Sequence, residues 1–193
     1  MPYTISENYR LKRLAKLASS AQTALDIGCA QYPNNFLSNP EVTGLDLEDA
    51  SMPSNYTKFI NSDVSKIPEL NLSYDVVIAG EILEHLEDPI GFLRHCRSCL
   101  KDNGKIVLST PNPHSLFETL LTLFLNKKYF YTKDHIMLFP QRWLIRMLER
   151  AGFHDIKLHS GGFPIPFFGL IPCPRFFCHQ TIAVAYKSKT DNE

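Results

Sequence analysis

No apolar run in this chain approaches the ~18–20 residues that cross a bilayer. The amino terminus, Met1-Pro-Tyr-Thr-Ile-Ser-Glu-Asn8, carries no cationic stretch followed by an apolar one. Neither a membrane span nor a secretory leader is therefore read in it. An excess of charge of one sign is also missing. Twenty Lys and Arg residues balance twenty Asp and Glu, which argues against a long polyanion such as duplex DNA as the partner. Cysteine is sparse, with five residues unevenly spread. An odd, irregular set speaks against the disulfide framework of a small secreted domain and for a reducing, cytoplasmic setting. Repeats and low-complexity segments are absent. Glycine is scarce as well, at nine residues, and that scarcity bears on the most informative part of the chain.

That part is Ala24-Leu-Asp-Ile-Gly-Cys-Ala30, followed by Val42-Thr-Gly-Leu-Asp46. Each is a short apolar run of strand character, the first ending in a glycine turn and the second in an acid. Asp26 and Asp46 stand twenty positions apart, the spacing of a unit that binds a nucleotide-like ligand at the carboxyl ends of parallel strands. Gly28 lets the backbone approach the ligand, and Asp46 can accept both hydroxyl protons of a ribose. A dinucleotide fingerprint needs three glycines, however, and Ala30 and Tyr32 occupy the later two places. A nicotinamide oxidoreductase is disfavoured on that ground. The helix after the turn has to be short, because Pro33 and Pro40 bound it.

A length of 193 residues fits a single domain over 1–193, with lid-like insertions near 114–135 and 161–178. Helical periodicity runs over Glu7–Ser19, with Ser6 available as its cap. Strands are read at Ala24–Ile27, Val42–Leu45, Lys58–Asn61, Asp75–Ala79 and Lys105–Ser109, then near Ile156–His159 and Gln180–Tyr186. Asp88-Pro89 opens a helix as cap and first residue, burying Phe92, Leu93, Cys96, Cys99 and Leu100. Another starts at Pro140, is expected to bury Trp143, Leu144, Met147, Leu148 and Ala151, and stops at Gly152. Strands alternating with helices imply an α/β fold with a mostly parallel sheet. The last strand follows a proline-rich excursion instead of a helix, so it is expected to insert antiparallel.

In this order the segments resemble class I S-adenosylmethionine-dependent methyltransferases, from about Leu25 to Tyr186. Leu25-Asp-Ile-Gly-Cys29 matches the opening of that family's first motif, and Val42–Asp46 its second strand with the ribose-binding acid. Asn61-Ser-Asp63-Val64 resembles the site where an acid faces the adenine amino group and the next residue packs on the ring. Tyr74–Pro89 and Gly104–Pro113 resemble the fourth and fifth strands, and His135–Phe153 a late segment of small members. The resemblance implies a Rossmann-like fold: a mostly parallel seven-stranded sheet, helices on both faces, and an antiparallel last strand. It also implies S-adenosyl-L-methionine as cofactor, with Asp26, Gly28, Cys29, Ala30, Asp46, Leu47, Asp63, Val64 and Gly80 as its site. The departure is the glycine loop, where the family usually shows Gly-x-Gly-x-Gly. Alanine at the second position is mild if its φ is negative and costly if the loop needs a positive one.

Methyl transfer from a sulfonium relies on alignment, and an oxygen nucleophile must also lose a proton. In a helical turn, Glu81, Glu84 and His85 would share one face. The pattern resembles metal-dependent methyltransferases of ubiquinone biosynthesis and of small-RNA ends, the latter completed by a histidine such as that of Asp134-His135. Three readings stay open: a divalent ion on Glu81, Glu84, His85 and His135; Glu81, His85 and His135 as metal-free catalytic groups; or Glu81 and Glu84 capping the turn while His85 bonds a backbone carbonyl. His114 is a further mouth candidate. Cys96-x-x-Cys99 is read as core filler, and the Arg142, Arg146, Arg150 stripe as a solvated helix face. Cys173, Cys178 and His179 give an unsupported metal hook. The aromatic-rich segments 115–131 and 161–177 suggest a lid over an apolar, lipid- or glycan-linked or small-molecule acceptor, with membrane-surface contact beside Lys127 and Lys128 as a further option. A methyltransferase of RNA ends and a non-catalytic partner subunit remain as alternatives, and the acceptor stays unnamed.

Overall fold

The computed structural model describes residues 5–115, 119, 135–165, 169–175 and 177–188. Seven strands form one sheet: β1 (Thr23–Ile27), β2 (Glu41–Asp46), β3 (Lys58–Asn61), β4 (Tyr74–Gly80), β5 (Leu100–Pro111), β6 (Phe153–Ser160) and β9 (Gln180–Lys187). Their spatial order is β3-β2-β1-β4-β5-β9-β6. The first five run parallel, and β9 lies antiparallel between β5 and β6. This is the mostly parallel sheet with an antiparallel last strand that the chain order predicts. A separate two-stranded hairpin pairs β7 (Phe163–Ile165) with β8 (Gly169–Ile171).

Alternation along the strands divides the core between two faces. Ala24, Val76, Ile78, Val107, Ile182 and Val184 pack beneath Leu14, Ala15 and Ala18 of helix α1 (Ile5–Ala18). On the other face Leu25, Ile27, Val77, Ala79 and Leu108 meet Phe92, Leu93 and Cys96 of α2 (Pro89–Ser98), and Leu144 and Leu148 of α3 (Gln141–Arg150). Each fully buried Leu or Ile contributes roughly 1.5–3 kcal/mol. Asp88 caps α2 as expected, its Oδ1 accepting from the Gly91 N–H at 2.8 Å, with Pro89 as first residue.

Several local expectations are corrected. Ser6 lies inside α1 and not at its cap. Trp143 is 53% exposed. The buried stripe of α3 runs through Leu144, Leu148 and Ala151, one residue or about 100° of rotation away from the indole. The Arg142 guanidinium lies 5.8 Å from the indole ring centre. Strands β5 and β6 start earlier than expected, at Leu100 and Phe153, and positive φ at Asn103 and Asp155 accompanies irregular register nearby. No helix forms between β1 and β2. Pro33 and Pro40 limit the segment, and Asn34 and Asn39 turn their side chains to backbone partners instead. Asn34 Nδ2 donates to the Leu11 carbonyl, and Asn39 Nδ2 to those of Ala18 and Ala21, which satisfies the end of α1. The expected lid segment 114–135 falls largely outside the described residues, with Asp134, Lys127 and Lys128 outside them entirely, whereas the segment 161–178 carries the β7–β8 hairpin.

Candidate active site

The glycine turn sits at the carboxyl end of β1. Gly28 has φ +75°, a conformation that favours glycine, and a Cβ there would press on Ile82 Cδ1 at 3.1 Å. Ala30 is not among the residues with positive φ. Its substitution for a glycine is therefore unstrained, and its N–H donates to Asp46 Oδ2 at 2.8 Å. Asp46 Oδ1 accepts from the Glu48 N–H at 3.0 Å, so the acid at the end of β2 is fixed by two backbone amides. In place of a helix, a buried network shapes the rest of the loop. The Tyr56 hydroxyl donates to Asp26 Oδ2 and accepts from the Asn34 N–H. Burial pushes the Asp26 carboxyl up to about 6, against the lowering effects of Tyr56 and of the Arg10 charge.

A cavity of about 430 Å³ opens beside this loop. Of the residues expected at the cofactor, Asp26, Gly28, Cys29 and Gly80 line it, and so do Glu81, His85 and His135. Helix α1 closes one side with Glu7, Arg10, Leu11 and Leu14, and Gln180 at the start of β9 enters from another. Arg10 and Gln180 were not legible as site residues. Arg10 is only 6% exposed, and a Cβ on residue 80 would come within 2.6 Å of its Nη1. The bare backbone at Gly80 is thus what admits a guanidinium beneath α1. Tyr32, the other anomaly in the glycine loop, lines the same cavity and shares a hydrogen bond with Glu7, whose charge pushes the phenol up.

The Glu81–His85 segment differs from a regular helical turn. Only Leu83–His85 form a 3-10 turn, and Glu81 precedes it with φ +55°, a conformation that costs a non-glycine residue free energy. Glu84 is completely buried. Its Oε2 accepts from Thr110 Oγ1 at 3.2 Å, while Oε1 has no partner. Burial, followed by the neighbouring Glu81 charge, pushes its carboxyl up to about 8. The Glu84 carbonyl accepts from the Ile136 and Met137 N–H groups at 2.9 and 3.2 Å, which pins the segment carrying His135 against the turn. The His85 and His135 rings meet edge to face with centres 4.7 Å apart. One ligand atom each from Glu84, His85 and His135 lies within 4.8 Å of the others. Glu81, expected with them, is not in this group.

Asp63 and Val64 follow β3 and are not among the residues lining the cavity. Hydrogen bonds from the Ser65 backbone and hydroxyl hold the Asp63 carboxyl below its usual range. Leu47, next to Asp46, is 68% exposed. His114 does not line the cavity. Cys96 and Cys99 are buried with thiols pushed up by burial, as core filler should be. The Cys178 thiol donates to the Arg175 carbonyl, and all five cysteines are free thiols. Among the described residues no helix is long and apolar enough to cross a membrane.

The model of a methyltransferase domain family matches residues 3–158. The chain belongs to that family of methyltransferases. Its fold and motif order are those of the class I, S-adenosylmethionine-dependent group. It is 30% identical over 112 residues to the ubiquinone biosynthesis O-methyltransferase of Marinobacter nauticus, covering 50% of this chain and 47% of that protein. The chain thus spans about half the length of that curated relative. A SAM-dependent methyltransferase of Thermotoga maritima superposes with a TM-score of 0.73 at 14% identity, over 95% of this chain and 90% of its own. The N-methyltransferase NodS of Bradyrhizobium japonicum, in complex with S-adenosyl-L-homocysteine, gives 0.60 at 14% identity, over 93% and 85%. At such identities the two structures establish the fold of this methyltransferase alone.

Proposed function

We propose that this methyltransferase transfers the methyl group of S-adenosyl-L-methionine to an oxygen of a small-molecule, glycan- or lipid-linked acceptor. One observation carries the reading. The glycine turn of β1 and the residues Glu81, His85 and His135 line one cavity, next to the carboxyl ends of the parallel strands β1 and β4. Asp46 would take the ribose hydroxyls, Leu47 and Val64 the faces of the adenine, and Asp63 its amino group. Gly28, Cys29 and Ala30 would bound the methionyl part. Arg10 is the cation available for its carboxylate, in a loop that has no helix N-terminus to offer.

In the transfer, the acceptor oxygen forms a bond to the methyl carbon as the sulfonium–carbon bond breaks, leaving a neutral thioether. The proton lost by the acceptor needs a base. His85 and His135 are the groups at hand, with Glu81 beside them. The unpartnered Glu84 Oε1, fully buried next to two imidazoles, also fits a divalent cation held by Glu84, His85 and His135. Such an ion would lower the pKa of a bound hydroxyl. Exposed Ile136 and Leu138, directly after His135, favour an acceptor with an apolar part. The test is tritiated methyl transfer into extract fractions sorted by solubility, with and without exhaustive chelation. Label in an alkali-stable O-methyl product is expected. Label confined to nitrogen, or none, overturns the proposal, and activity unchanged by chelation with no metal by elemental analysis removes the cation.

A further inference from the structure

Gln180 is absent from the motifs that identify the family, yet it is placed as a ligand-reading residue. It is 7% exposed, lines the cavity, and its Oε1 is buried with no hydrogen-bond partner. A buried acceptor without a donor costs on the order of 1–3 kcal/mol, and native proteins leave few such groups unpartnered. Glu81 has the same property: its Oε1 is buried and unpartnered. The two residues flank the carboxyl end of β5 from opposite sides. Gly80 of β4, next to Glu81, pairs with Ser109 of β5, and Gln180 of β9 pairs with Pro111 of β5. Two strand spacings set their backbones ~10 Å apart, a span that two side chains of this length can reach across to one ligand group.

That ligand group has to bring donors to both oxygens, and the carboxamide of Gln180 also offers two N–H donors of its own. A primary ammonium supplies donors only and would leave the N–H groups of Gln180 without an acceptor. Neutral hydroxyls satisfy the oxygens without adding charge, and a neighbouring hydroxyl can both donate to Gln180 Oε1 and accept from its N–H. We infer that Gln180, with Glu81 opposite, selects an acceptor carrying adjacent hydroxyl groups, the chemistry of a sugar or other polyol, and holds one hydroxyl while its neighbour is methylated.

The inference rests on the proposed methyltransferase activity and names the polar part of its acceptor. It is tested with wild type, Gln180→Leu and Gln180→Glu, each first titrated with S-adenosyl-L-homocysteine and then given tritiated S-adenosyl-L-methionine and extract. All three proteins should bind the homocysteine derivative within about twofold of one another, which also shows that the variants fold. Wild type should place its label in an O-methyl polyol recovered after acid hydrolysis. Gln180→Leu should lower that incorporation about tenfold or more, with Gln180→Glu, which keeps an acceptor oxygen, in between. Label in an amine or in a mono-hydroxyl apolar product, or equal incorporation by Gln180→Leu, overturns the inference while leaving the methyltransferase reading intact. Failure of the wild type to bind S-adenosyl-L-homocysteine overturns the reading beneath it.

Discussion

At the scale of single residues, two buried charges set the character of the site. Asp26 has its carboxyl raised to about 6 from 3.8, so the folded protein holds that proton more tightly than the unfolded chain. The sign follows by linkage: this burial costs nothing below about pH 4 and its full amount above pH 6. Asp26→Asn should therefore raise the stability of cofactor-free protein at pH 8 by up to ~3 kcal/mol. The gain should vanish at pH 4, as read from urea melts at the two pH values. Arg10 gives a second, sharper prediction. Arg10→Met should weaken S-adenosyl-L-homocysteine about 10- to 100-fold and leave 5′-methylthioadenosine, which lacks the carboxylate, unchanged by calorimetry. Equal losses for both ligands would deny Arg10 its carboxylate. Asp46 and Gly28 were legible because a nucleotide site needs an acid and a positive-φ turn at fixed spacing. Arg10 and Gln180 were not, since each enters the cavity from an element whose own pattern reads as helix face or strand.

At the scale of elements, the connection from β1 to β2 is the distinctive feature. A helix was expected there, shortened by prolines, and the chain instead builds a loop on Asn34, Asn39 and Tyr56. Periodicity cannot announce such a loop, because its order comes from side chains bonding to backbone groups distant in sequence. Tyr56→Phe removes the hydroxyl that bridges Asp26 and the Asn34 N–H. The expected loss is ~1–3 kcal/mol of stability in denaturant, together with weaker S-adenosyl-L-homocysteine binding, since the same loop carries Ala30 and its bond to Asp46. Unchanged affinity in Tyr56→Phe would mean that the network holds the fold without shaping the site. The acid–histidine turn shows the converse case. Three of the four residues expected together there, Glu84, His85 and His135, do meet, but the assumed α-helical face was wrong. Glu81 adopts φ +55° before the turn begins, so Glu84 and His85 meet His135 without it.

At the scale of the whole molecule, the mostly parallel sheet with its antiparallel β9 was readable in advance, because each buried strand is a continuous apolar run bounded by turns. The reach of helix faces was less readable, as the exposed Trp143 shows. The account joins these scales in one claim: a sheet of this order, with Gly28, Ala30 and Asp46 at its carboxyl edge, binds one adenosine-bearing cofactor. Calorimetric titration with S-adenosyl-L-homocysteine tests that claim most directly, using wild type and Asp46→Ala. The predicted result is one molecule bound per chain, weakened at least ~10-fold by the substitution. No binding at millimolar ligand, or equal affinity in Asp46→Ala, would contradict it.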